Sequence, residues 1–151
     1  LSVSVTCDTT IKPKSLQKYS NFIKAKGYDN ALKFHRDFDG NRFLKHFIYL
    51  TDCGLNNGPH VYIKNSVNNC PINFNGVKRL SLSTINSFYN KKNILTLTGE
   101  KGFNFFEDTT GFHAGSIPKE GRRIMLVIEY MDTKSTLYHA KNLTNYKYSK
   151  L

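Results

Sequence analysis

Short runs of β-branched and aromatic residues recur through the second half of the chain, at Ile94-Leu95-Thr96-Leu97-Thr98, Phe103 to Glu107, Arg123 to Tyr130 and Thr136 to Ala140. Glycine-containing turns separate them at regular intervals. Such spacing points to an antiparallel sandwich or barrel. The first half carries the same signal. Leu1 to Thr6 alternates small, β-branched and polar residues, and Ala31 to Asp37 and Arg42 to Thr51 are strand candidates divided by the turn Asp39-Gly40-Asn41. Asn56-Asn57-Gly58-Pro59 turns the chain into His60-Val61-Tyr62-Ile63, after which Asn65 to Asn75 reads as a polar loop. Two helices interrupt the strands. Ser15 caps one that carries Leu16, Tyr19, Phe22 and Ile23 on one side and stops at Gly27, placed to cover an outer sheet face. Ser83 caps a shorter one with Ile85, Phe88 and Tyr89 on its apolar side, ending in Lys91-Lys92-Asn93. The expected class is mainly β with flanking helices.

A chain of 151 residues fits a single domain, 1–151, with a core large enough to stand without disulfides or metals. Eleven Phe and nine Tyr exclude the disordered, low-hydrophobicity class. No run of 18 apolar residues exists, and Leu1 to Cys7 lacks the basic start and long apolar stretch of a secretory signal. The three cysteines, Cys7, Cys53 and Cys70, are odd in number and lack CxxC spacing, so neither a disulfide framework nor a thiolate zinc site is written here. A reducing, cytoplasmic setting and no membrane partner are expected.

Twenty-two Lys and Arg against eleven Asp and Glu give a formal charge of +11, a field that attracts nucleic acid, anionic surfaces or small acidic substrates. The basic residues are spread along the chain, with no arginine-rich block and no zinc-finger spacing. Nucleic acid is therefore not the favoured partner. The field alone leaves the partner open: a solvated basic surface on a Lys/Asn-rich chain is the plainer reading, and a small anionic substrate is one alternative.

The chemistry-bearing pattern begins at Phe34-His35-Arg36-Asp37. On a strand, residues two apart project from one face, so an imidazole and a carboxylate so spaced reach one metal ion. A third donor, His113, lies far downstream in Gly111-Phe112-His113-Ala114-Gly115, where flanking glycines allow close approach of the backbone. Two imidazoles and a carboxylate with open positions form the facial triad suited to non-haem Fe(II), although the same donors also bind zinc or manganese. Arg122-Arg123 then opens the most apolar strand, ten residues past His113. A buried guanidinium needs an anion, and its planar fork matches the remote carboxylate of a dicarboxylate. Period-two alternation lets one of the pair face inward with Met125 and Val127, and that parity selects Arg123.

Phe34 to Asp39, Arg42 to Lys45, Phe47 to Asp52, Asn57 to Tyr62, Phe105 to Thr109 and Gly111 to Gly115, taken in order, resemble the phytanoyl-CoA dioxygenase family over roughly residues 31–130. The resemblance implies a double-stranded β-helix, a jelly-roll, cupin-like barrel, and an Fe(II)/2-oxoglutarate-dependent oxygenase. It implies that His35, Asp37 and His113 bind iron and that Arg123 binds the remote carboxylate of 2-oxoglutarate. Phe47 falls where relatives carry an aromatic residue packed on the cosubstrate, and Lys45, which shares its parity, is a candidate second carboxylate contact. Dioxygen and a small-molecule substrate are the implied partners. Asp37 stands where related halogenating enzymes lack a carboxylate, which favours hydroxylation.

The chain also departs from that family. Asn65-Ser66-Val67 stands where many relatives have a Gly-Ser-His element, and the N-terminal segment that usually supplies helices and pocket walls is short. The remaining histidines, His46, His60 and His139, have no partner at metal spacing and read as structural or surface residues, His46 on the outward parity. The competing reading is a non-catalytic β-barrel binding module that offers its basic surface to an acidic partner.

Overall fold

The computed structural model describes residues 2–9, 33–38, 42–71 and 79–131. The helix expected over Ser15–Gly27, the turn at residues 39–41, the strand over Thr136–Ala140 and His139 lie outside the described residues. Among the described residues there are seven strands: β1 Ser2–Thr9, β2 Phe43–Tyr49, β3 His60–Ile63, β4 Ile94–Leu97, β5 Asn104–Glu107, β6 His113–Gly115 and β7 Arg122–Met131. A helix of two turns, α1 Leu82–Phe88, and a 3-10 turn, Lys91–Asn93, precede β4.

The strands form two antiparallel sheets. The larger runs β1-β7-β2-β5 and the smaller β4-β3-β6. The ten-residue β7 pairs with β1 on one side, Thr9 opposite Arg122, and with β2 on the other, Tyr49 opposite Met125 and Lys45 opposite Glu129. A separate pair of rungs extends the smaller sheet past β6: His35 bridges His113, and Phe34 bridges Leu80 on its far side. Of the strand expected over Ala31–Asp37, only Phe34 and His35 make these bridges among the described residues.

Alternation sorts the side chains into three layers. On the larger sheet Phe47, Tyr49, Phe105, Met125 and Val127 point inward and pack with Cys53. The smaller sheet faces them across the gap: the Tyr49 hydroxyl donates to Leu97 O at 2.7 Å and accepts from His60 N at 3.1 Å, stitching β2 to β3 and β4. Behind the smaller sheet, Phe34, Ile63, Leu80, Phe112 and Ala114 pack against Ile85 and Tyr89 of the helix region.

The helix starts two residues before its expected cap. Ser81 Oγ accepts from Thr84 N at 3.1 Å and is the N-cap, whereas Ser83 lies inside the first turn. That phase buries Ile85 and leaves Phe88 52% exposed; Tyr89 reaches the core as the C-cap residue. Gly58 explains the sharp entry into β3. Its φ is +77°, and a Cβ there would lie 2.6 Å from Ser116 O, so only glycine fits without strain. Among the described residues no helix is long and apolar enough to cross a membrane.

Candidate metal centre

His113 and His35 are locked together by backbone. Each N–H donates to the other's carbonyl at 2.9 Å, and the two rings sit 4.2 Å apart. Side chains directly opposite across a rung share a face, and that face looks into the gap between the sheets. Asp37 reaches the same place by a third contact, its N–H donating to Thr109 O at 2.8 Å. One ligand atom from each of His35, Asp37 and His113 falls within 4.8 Å of the others.

The two imidazoles are oriented alike. His35 Nδ1 lies 2.8 Å from Lys33 O and His113 Nδ1 3.1 Å from Gly111 O, each a carbonyl two residues earlier. A carbonyl only accepts, so Nδ1 carries the proton and Nε2 keeps its lone pair, an arrangement that orients metal-binding histidines. Both Nε2 atoms point at Asp37, His35 Nε2 at 3.6 Å from Oδ1 and His113 Nε2 at 3.4 Å from Oδ2. Burial, with the neighbouring His113, lowers the His35 pKa to about 4, and burial lowers that of His113. Burial also pushes the Asp37 carboxyl up, but His113, Lys45 and His35 outweigh it and its pKa falls. At neutral pH the donor set is two neutral imidazoles and one carboxylate, the protonation a divalent metal needs. The residues therefore fit a metal ion.

Gly111 has a different reason from the one its position suggests. A Cβ there would lie 2.5 Å from the Tyr62 hydroxyl, so the glycine lets the loop pack on Tyr62 and brings its carbonyl under His113. The loop is held from beneath by Ser66, fully buried, whose hydroxyl donates to Ile63 O and accepts from Phe112 N, both at 2.7 Å.

The larger sheet contributes an inner row in register. Lys45 and Glu129 stand opposite each other at one end, Phe47 opposite Val127 in the middle, and Arg123 lies beyond Met125 at the other end. Lys45 is not a solvated edge lysine: its Nζ lies 2.7 Å from Asp37 Oδ2 and 3.5 Å from Glu129 Oε1. Phe47 is buried, stacked on Phe105 with ring centroids 5.1 Å apart and tilted against His60 at 4.9 Å. Arg123 is 4% exposed and donates through Nη1 to Gly58 O, while Arg122 is exposed.

Two further residues of the gap were not singled out by sequence. His60, expected as structural or surface, is 4% exposed, and its Nε2 lies 3.0 Å from Oε2 of Glu107, itself 5% exposed. Glu107 Oε1 is also 4.0 Å from His113 Nδ1. Burial pushes the Glu107 carboxyl up to about 8 and lowers His60 to about 3, with Arg123 adding to the latter. The contact is then a hydrogen bond between neutral groups, the carboxyl O–H donating to Nε2, rather than an ion pair. The available signal was parity: Glu107 is two residues past the inward Phe105. Beside it a cavity of about 450 Å³ opens, lined in part by Tyr62, Leu97, Phe105, Phe106 and Glu107. His46 faces outward, stacked on the exposed Phe106 at 4.1 Å.

No protein-family model and no curated protein matches the chain. Solved structures do. The chain is similar to AviO1 from Streptomyces viridochromogenes Tue57, with a TM-score of 0.58 at 15% identity over 91% of this chain and 52% of that one. It is similar to ThoJ, described as a non-heme monooxygenase, at TM-score 0.55 and 12% identity over 88% and 46%. It is also similar to HygX from Streptomyces hygroscopicus with iron bound, at TM-score 0.51 and 12% identity over 87% and 57%. The fold is theirs. The chain spans about half the length of these proteins, and the phytanoyl-CoA dioxygenase family is not named among them.

Proposed function

We propose that the chain is the catalytic part of a non-haem Fe(II)/2-oxoglutarate-dependent oxygenase of the phytanoyl-CoA dioxygenase type, built on a double-stranded β-helix and hydroxylating a small molecule in a cytoplasmic setting. The observation that carries this reading is the convergence of His35, Asp37 and His113 within 4.8 Å, on one face, in the protonation states a divalent metal requires. The fold it shares with a protein described as a non-heme monooxygenase and with an iron-bound HygX supports it.

In this reading His35 Nε2, His113 Nε2 and an Asp37 oxygen hold Fe(II), and Lys45 steadies Asp37 through Oδ2. Arg123 receives the remote carboxylate of 2-oxoglutarate, and Phe47 supplies an apolar wall between it and the metal. When bound, iron and cosubstrate supply the oxidising chemistry, by which dioxygen, 2-oxoglutarate and a C–H bond become succinate, carbon dioxide and an alcohol. The chain's own part is to fix the ligands, exclude water with Phe47, Phe105 and Val127, and hold a proton at Glu107. The test is anaerobic loading with Fe(II) and 2-oxoglutarate followed by admission of air. Succinate release that requires both, and that Asp37→Ala abolishes, is the expected result; metal-independent or absent succinate release sinks the proposal and leaves the binding-module reading.

A further inference from the structure

Phe34 and Leu80 exchange both backbone hydrogen bonds, at 3.0 and 2.8 Å, in an antiparallel bridge. In that register the next pair is His35 opposite Arg79. His35 in turn bridges His113 on its other side. Side chains directly opposite across antiparallel neighbours project from the same face, so Arg79, His35 and His113 form one row across the extended smaller sheet, all facing the gap. The guanidinium is half-buried, and its Nη1 is buried with no hydrogen-bond partner among the described residues. A donor in that state is costly unless an acceptor arrives to meet it. Arg79 feels the charge of Asp37, and His35 feels that of Arg79, so the guanidinium lies close to these residues. Yet Asp37 is already engaged by Lys45, so Arg79 is not spent on it. Arg123, at the far end of β7, stands in a different place.

We infer that Arg79 is the anchor for an oxyanion, a carboxylate or phosphate, carried by the small-molecule substrate, and that it sets which substrate reaches the metal. The inference rests on the oxygenase reading for the word substrate, but not for the existence of the anion site. A guanidinium beside the metal ligands holds one end of a short anionic molecule and leaves the C–H bonds a few atoms away over the open metal positions. It also gives the chain's formal +11 a local point of action, the field drawing anions in and Arg79 receiving them.

The test uses the full chain loaded anaerobically with Co(II), titrated with inorganic phosphate and with acetate, with and without saturating 2-oxoglutarate. Heat of binding and the visible absorption of the Co(II) centre are read together. Arg79→Gln is expected to weaken binding of the preferred oxyanion about 10- to 100-fold, the range for a lost charge-assisted hydrogen bond, with Co(II) and 2-oxoglutarate affinities unchanged. Arg79→Lys keeps the charge and is expected to recover part of the loss. Equal oxyanion binding by the wild type and Arg79→Gln, or a wild type that binds neither phosphate nor acetate, overturns the assignment. So does a fall in 2-oxoglutarate affinity equal to that of Arg123→Gln, which would make Arg79 a cosubstrate residue. A wild type that takes up no Co(II) defeats the metal-centre reading instead, and the same titrations of the metal-free chain then decide Arg79 by themselves.

Discussion

His35 and His113 are bound to each other before any metal arrives: each donates its backbone N–H to the other's carbonyl at 2.9 Å, and each directs Nδ1 to the carbonyl two residues before it. The repeated local pattern gives two ligands the same tautomer and the same aim from segments far apart in sequence. A metal held by these two rings would need little reorganisation of either.

Replacing any of His35, Asp37 or His113 with Ala removes one of three protein donors. Fe(II) content after gel filtration, measured by atomic emission, is expected to fall to background in each variant while the fold persists by circular dichroism. Undiminished iron in Asp37→Ala would refute the assignment.

Arg123→Gln is expected to raise the 2-oxoglutarate requirement about 10- to 100-fold, the worth of a charge-assisted pair at roughly 1.5–3 kcal/mol, with iron retention intact. Arg122 is exposed, so Arg122→Gln should leave the requirement alone. The reverse pattern in a cosubstrate titration would assign the carboxylate to the wrong neighbour.

The shared face of His35 and Asp37 and the inward parity of β7 were readable because they depend on period two, which local sequence displays directly. His35 and Asp37 two apart, and Arg123, Met125 and Val127 on one face, are such patterns, whereas His113 was reached through its glycine-flanked segment and the family resemblance. Two kinds of feature were not readable. The Ser81 cap sits two residues from the equally plausible Ser83, and only packing of Ile85 selects the phase. Arg79 beside His35 and Glu107 beneath His60 depend on pairings between distant segments, which no window of local sequence contains. Lys45 was ambiguous for the opposite reason: a lysine on a strand reads as solvated until a buried carboxylate, here Asp37, is brought to it.

Lys45 holds the place of a cation at Asp37 in the metal-free protein. Lys45→Met leaves Asp37 and Glu129 as buried carboxylates without its ammonium, and breaking a buried pair costs about 3–5 kcal/mol. A marked fall in melting temperature is expected for the metal-free variant, with a large part of it recovered on adding Mn(II), because the metal neutralises Asp37 in its stead. Measured by thermal denaturation, a loss that is the same with and without saturating Mn(II) would show that ammonium and metal do not substitute for each other.

The buried titratable groups also fix the pH profile of the metal-free protein. Burial lowers His35 to about 4 and His60 to about 3, from 6.5 when unfolded. Below 6.5 the unfolded chain takes up protons the folded one refuses, so stability falls as pH drops from 6.5 towards 4. Burial raises Glu107 to about 8 from 4.5, so between those values the folded chain keeps a proton the unfolded one has lost, and stability falls as pH rises. Between 4.5 and 6.5 the histidines outnumber the single carboxyl, which puts the maximum near 6.5. Glu107→Gln keeps a donor for His60 Nε2 but cannot ionise. Its stability, from urea denaturation at several pH values, is expected to fall more steeply than the wild type's as pH drops from 6.5 to 4.5, because no carboxyl then offsets the histidines, and to stay nearly level from pH 6.5 to 8. There the wild type declines by at most about 1.4 kcal/mol per pH unit. Two profiles that run parallel across that upper window would mean that Glu107 is ionised in the folded protein and pairs with His60 as a charge.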